Sequence, residues 1–158
     1  MVNFIFHLME QKEAEEIAND WKYDGIYSFY DSTNDLEDYQ ILTDPKKRID
    51  PHFSCYSENK FIGFYCIEIK EEKKVVLGLG LKPEFTGRGF GEIFVNAILD
   101  HILLNHETNE FILNVAAFNK RAIKVYKKVG FIEIEKYLQK TNGGEYNFIK
   151  MKKTYNKI

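Results

Sequence analysis

Three glycines at alternate positions, Gly87, Gly89 and Gly91, close the stretch V-V-L-G-L-G-L-K-P-E-F-T-G-R-G-F-G-E-I-F over residues 75–94. The stretch begins as a short apolar run that reads as a buried strand, turns at Lys82-Pro83-Glu84, and opens into a helical pattern. Glycine at this spacing permits positive φ and close approach of a ligand to the main chain. The helix that follows starts with N–H groups that lack intrahelical partners, and its dipole favours negative charge. The combination is an anion cradle suited to a phosphate or pyrophosphate.

Nucleotide readings of the cradle fail on single residues. A dinucleotide fingerprint starting at Gly87 needs glycine at position 92, where Glu92 stands, and the G-K-[ST] of a Walker loop is absent. A second motif follows about thirty residues on. Residues 115–131 read V-A-A-F-N-K-R-A-I-K-V-Y-K-K-V-G-F and fill the skeleton N-x-x-A-x-x-x-Y-x-x-x-G-F with Asn119, Ala122, Tyr126, Gly130 and Phe131.

Taken together, the two motifs resemble those of the GNAT superfamily of N-acetyltransferases, whose acetyl-CoA loop reads [RQ]-x-x-G-x-[GA]. Gly89 and Gly91 fall on that loop, and Thr86 stands where Arg or Gln is usual. The resemblance covers residues 50–153 well and the first fifty by general layout. It implies an α/β fold with a mixed, strongly bent sheet of about seven strands and about four helices. It also implies acetyl-CoA as cosubstrate, no metal, and direct acetyl transfer to a primary amine. The acceptor stays open between a protein or peptide N-terminus and a small amine. A catalytically inactive acetyl-CoA sensor of the same fold is the alternative.

The resemblance also assigns residues. Main-chain N–H groups of Leu79, Gly80 and Leu81 face the thioester, and those from Thr86 through Gly87, Arg88, Gly89 and Phe90 to Gly91 take the phosphates. Arg88 is either a charge partner for them or a solvated side chain. Asn119 bonds pantetheine, and Tyr126, seven residues on, gives a proton to the sulfur. In one branch of the superfamily a glutamate five residues before the motif asparagine serves as base, but that place holds Asn114. Glu68 on the preceding strand is the first substitute, with Asp31 and an ordered water behind it.

Length and composition agree with a single domain: 158 residues, 44% of them hydrophobic and 15% aromatic. No segment reaches the roughly 20 apolar residues of a membrane span, and the N-terminus lacks a basic flank. A cytoplasmic protein is expected, monomeric or homodimeric, with neither a membrane nor a nucleic acid as partner. Cys55 and Cys66, without a C-x-x-C or clustered histidines, read as reduced structural thiols. Residues 1–50 carry 12 Asp and Glu against 5 Lys and Arg, and the rest carry 12 against 17. That asymmetry fits either a polyanionic cofactor at the basic part and a cationic acceptor at the acidic part, or plain solvated faces.

In chain order, residues 2–8 read as a strand and residues 10–21 as an amphipathic helix carrying Ala14, Ile17, Ala18 and Trp21. Residues 21–31 hold five aromatics, Trp21, Tyr23, Tyr27, Phe29 and Tyr30, which line an acceptor pocket or fill core. A short helix follows Asp35. Residues 52–57 and 60–70 form a hairpin about Glu58-Asn59. Gly78 and Gly80 mark a bulge or close approach in the strand at 75–81. A helix over 89–105, a strand at 111–115, a helix at 119–128 and strands at 131–138 and 145–153 complete the chain. His101 and His106, near a helix C-terminus that favours imidazolium, read as structural or solvated.

Overall fold

The computed structural model describes residues 3–156, so Val2 of the expected first strand lies outside the described residues. Seven strands form: β1 (Ile5–Leu8), β2 (His52–Ser57), β3 (Lys60–Lys70), β4 (Lys74–Leu81), β5 (Glu110–Ala116), β6 (Ile132–Thr141) and β7 (Gly144–Thr154). Four α-helices accompany them: α1 (Gln11–Asp20), α2 (Leu36–Thr43), α3 (Gly91–Asn105) and α4 (Lys120–Val129). This is the mixed sheet with flanking helices that the motifs implied.

Turn chemistry sets the hairpins. Glu58 and Asn59 take φ of 52° and 65°, and Asn142 and Gly143 take 50° and 75°, the pairs of left-handed residues that match strand twist across a two-residue turn. The strand order is β1-β2-β3-β4-β5-β7-β6, antiparallel throughout except for β4 and β5.

That one parallel junction shapes the site. β4 and β5 pair only from Lys74 with Glu110 to Leu77 with Leu113. Beyond it β4 follows β3 to Leu81, and β5 follows β7 to Ala116. The sheet therefore opens into a wedge. The register of β4 on β3 is continuous, so the expected bulge is a parting from β5.

Opposite faces of β3 carry different helices. The position of a side chain at Gly63 points at the Phe94 ring of α3, whereas the neighbouring Phe64 packs on Trp21 at the end of α1. The α3 stripe is Phe94, Val95, Ile98, Leu99 and Ile102. Ile93 and Leu104, equally apolar, lie off this stripe and are exposed. A helix apolar nearly all round gives periodicity little to choose between.

Two further details depart from expectation. Glu13, on the nominally polar face of α1, is 3% exposed. It accepts hydrogen bonds from the Glu10 N–H (2.8 Å), Ser54 Oγ (2.9 Å) and Tyr56 Oη (2.6 Å), and pairs with His7 Nε2 (3.0 Å). Burial raises its pKa, but these bonds outweigh burial and hold it below the usual carboxylate range. His101 stacks on Phe6 with Nδ1 bonded to the Tyr65 hydroxyl. Burial lowers its pKa, and the neighbouring His106 adds to the effect.

Candidate active site

The wedge between β4 and β5 holds a cavity of about 570 Å³ that runs from the glycine loop to the aromatic segment after α1. Its ceiling on one side is the free edge of β4. Lys82 N–H bonds to Ile62 O at 2.8 Å, which fixes the alternation of the antiparallel ladder. Even-numbered residues of β4 bond to β3, and the N–H groups of Leu79 and Leu81 turn toward the gap. Gly80, expected to donate there, instead has its N–H committed to β3.

Packing explains both glycines of β4. A Cβ on Gly80 would lie 2.6 Å from the Phe64 ring, and one on Gly78 would lie 2.9 Å from Cys66 Sγ. Large residues of β3 thus sit across from glycines of β4, and the Phe64 ring lies over the strand into the cavity.

At the other end, Gly87 and Gly89 have φ of 72° and 81°, positions at which side-chain-bearing residues are strained. No main-chain N–H from Gly89 to Ile93 has a hydrogen-bond partner among the described residues, and α3 has no side-chain cap. A fifteen-residue helix therefore presents its positive end unsatisfied to the cavity. Gly91 permits this placement, because a Cβ there would meet Val125 of α4 at 3.0 Å.

Thr86 lines the cavity but differs from expectation. Its N–H bonds to Pro83 O at 3.2 Å and its Oγ1 to the same oxygen at 2.7 Å, closing the turn Pro83–Phe85. The cradle of free donors begins after it. Arg88 and the Phe90 side chain lie off the lining. The cation at this end is Arg121, 3.5 Å from where a side chain on Gly87 would begin and stacked 4.3 Å over the Tyr27 ring. No sequence signal beyond a basic residue in the first turn after Asn119 pointed to it.

Asn119 and Tyr126 come together as the spacing required. Asn119 is the N-cap of α4, with Oδ1 accepting from Ala122 N–H at 3.1 Å and Nδ2 donating to Tyr30 Oη at 3.1 Å. Tyr126 is 8% exposed, lines the cavity, and has no hydrogen-bond partner for its hydroxyl among the described residues. Burial, and then the neighbouring Tyr30, push its pKa well above the usual phenol range.

The aromatic segment divides. Trp21, Tyr23, Tyr27 and Tyr30 line the cavity; Phe29 does not, and packs instead on Tyr146 and Phe118 beside a separate hollow. Tyr23 Oη donates to Leu81 O at 2.7 Å, tying the segment to β4, and Tyr23 N–H bonds to Asp31 Oδ1 at 2.8 Å. Asp31 itself is not part of the lining. Glu68 is further away: half-exposed, on the stretch of β3 beside Val76, and paired with Lys70 at 2.6 Å. The structure does not bring the expected base to the cavity. Among the described residues that line it, Arg121 is the one formal charge, and none is an aspartate, glutamate, histidine or lysine.

A sheet splayed at one parallel junction over an uncapped helix is the framework of an acyl-transferring enzyme. The acetyltransferase (GNAT) family model matches residues 12–131, and the chain belongs to that family, an N-acetyltransferase by class. Solved structures with this fold include an aminoglycoside acetyltransferase AAC(6')-Ib in complex with coenzyme A. It has a TM-score of 0.75 and 17% identity, over 96% of this chain and 95% of that one. A spermidine N-acetyltransferase SpeG chimera from Vibrio cholerae and hSSAT gives 0.72 and 17% over the same shares. A putative phosphinothricin N-acetyltransferase gives 0.71 and 16%, over 98% of this chain and 100% of that one. No curated protein matches in sequence. Among the described residues no helix is long and apolar enough to cross a membrane.

Proposed function

We propose that the protein moves an acetyl group from acetyl-CoA to a primary amine by direct transfer within a ternary complex. One observation carries this reading: the free N–H groups of the α3 terminus, the gap-facing N–H groups of Leu79 and Leu81, and the Tyr126 phenol all face one cavity.

The roles follow from the order of these groups along the cavity. The pyrophosphate rests on the N–H groups from Gly87 to Ile93 at the positive helix end, with Arg121 as its cation. The pantetheine arm runs along the free edge of β4 like an added strand, meeting Leu81 first and Leu79 next. Leu79 N–H then faces the thioester oxygen, and a main-chain donor so placed stabilises the developing oxyanion by about 3 kcal/mol.

The amine nitrogen attacks the thioester carbon, a C–N bond forms and the C–S bond breaks. The sulfur leaves with the proton of Tyr126, and the amine's surplus proton passes to water at the mouth of the cavity, from which the Tyr126 phenolate recovers its own. Burial raises the pKa of Tyr126, so the phenol carries its proton at neutral pH but gives it up less readily than a free one.

Calorimetric titration with coenzyme A, beside free-thiol release from acetyl-CoA over a panel of amines, tests the proposal. Binding with amine-dependent thiol release supports it. Binding without release for any amine leaves the sensor reading in its place, and absence of binding removes both.

A further inference from the structure

We infer that the acceptor is a primary amine of low basicity borne beside an aromatic ring, as in the α-amine of an aromatic amino-acid residue, and not a polyamine or an aminosugar. The inference rests on the acetyltransferase reading above and concerns the half of the cavity away from the glycine loop.

Tyr23 and Tyr30 from the segment after α1 and Phe64 from β3 build that half, with Tyr27 at its boundary under Arg121 and Trp21, 2% exposed, packed behind Phe64. The polar atoms of Trp21, Tyr23 and Tyr30 are engaged within the protein. Trp21 Nε1 donates to Glu16 at 2.7 Å, Tyr23 Oη to Leu81 O, and Tyr30 Oη receives Asn119 Nδ2. The cavity is therefore offered ring surface, which an aromatic substituent covers at offset-stacked or edge-on distance.

Charge argues the same way. All 12 acidic residues among the first fifty lie off the lining. Two that bond to residues of the aromatic segment are engaged there, Glu16 by Trp21 and by Lys82 at 3.9 Å, and Asp31 by the Tyr23 N–H. A polycation entering the cavity would leave water without a carboxylate to receive it, a loss that ring faces offset only in part. The acidic first third, with Glu13 buried and the others off the lining, thus does not select a polyamine.

Basicity follows from the absent base. A lysine-like amine with pKa of about 10.4 is neutral in roughly one molecule in 2,500 at pH 7, and an α-amine with pKa of about 7.8 in roughly one in seven. With no carboxylate or imidazole among the described lining residues to take the proton, the α-amine has an advantage of about 300-fold in reactive form. Apolar walls lower the amine pKa further.

The test uses the full chain and five acceptors: phenylalanyl-glycine, glycyl-glycine, phenylethylamine, spermidine and an aminoglycoside. Coenzyme A binding is measured first by calorimetry. The expected result is a kcat/KM for phenylalanyl-glycine at least about tenfold above those for glycyl-glycine, which lacks the ring, and phenylethylamine, which is more basic. Spermidine and the aminoglycoside are expected to trail further. If coenzyme A binds and either polycation is the better substrate, or glycyl-glycine matches phenylalanyl-glycine, or neither dipeptide is acetylated, the inference fails while the cofactor reading stands. A protein that does not bind coenzyme A sinks both.

Discussion

The two halves of the cavity are made of different material. The half near α3 is built from main chain: two left-handed glycines, an uncapped helix terminus and the unpaired edge of β4. The half near α1 is built from side chains, the rings of Tyr23, Tyr30 and Phe64, drawn from two segments some forty residues apart. Main-chain donors bind what every cosubstrate of one kind has in common, phosphates and amides, whereas side chains are replaceable one by one and so set which amine fits. Under the proposed function the difference separates a general cofactor site from an individual acceptor site within one wedge.

The strongest way to break that comparison is to replace the glycines. Gly87→Val with Gly89→Val puts two β-branched residues at φ of 72° and 81°, at about 1–2 kcal/mol each. Coenzyme A affinity measured by calorimetry is expected to fall about a hundredfold, while the backbone strain lowers the thermal unfolding midpoint by several degrees without unfolding the protein at assay temperature. Unaltered affinity would mean that the loop main chain is not the phosphate site.

Next in size is Tyr126→Phe, expected to lower kcat by roughly tenfold or more with KM for acetyl-CoA unchanged, since a thiol of pKa about 8.5 already leaves fairly well unaided. The pH profile carries the sign. A group needed protonated works below its pKa, and burial places that of Tyr126 above the ordinary phenol value. Rate should therefore climb as the amine deprotonates and show no decline up to about pH 10. A falling limb near neutrality would remove Tyr126 as the acid.

What the sequence made legible follows the same division. Main-chain chemistry needs glycines at set positions, so the loop from Gly87 to Gly91 and both hairpin turns could be read from the residues, whereas the Asn119–Tyr126 pair was implied by the motif resemblance. Side chains assembled by tertiary folding leave no such trace. Phe64 enters the cavity because it lies across from Gly80 in the β3–β4 register, a pairing visible only once both strands are aligned. Arg121 displaced Arg88 because α4, starting at Asn119, turns its first exposed residues back over the loop. Glu68 looked suitable by strand position, but the wedge opens at the other end of β4, beyond Leu77. Thr86 was lost to a local turn, its N–H spent on Pro83.

Arg121→Ala sharpens the boundary between the halves, since the guanidinium lies between Gly87 and the Tyr27 ring. An exposed cation facing phosphate contributes about 1 kcal/mol, so coenzyme A should bind about fivefold more weakly, with the deficit shrinking as salt rises. Equal weakening for dephospho-coenzyme A and coenzyme A would place the contact on the pyrophosphate; a smaller effect on the former would place it on the 3'-phosphate.

The smallest expected effect is the most informative about whether the halves are independent. Tyr23 Oη donates to Leu81 O at 2.7 Å, the one hydrogen bond among the described residues that ties the aromatic segment to β4. Tyr23→Phe keeps the ring and deletes the bond, worth about 0.7 kcal/mol net. If the segment acts on the acceptor alone, KM for the amine rises about threefold while coenzyme A affinity holds or improves slightly, because Leu81 O gains a free lone pair for a pantetheine N–H. If affinity for coenzyme A falls by the same factor, the bond positions β4 itself, and the side-chain half is part of the cofactor site.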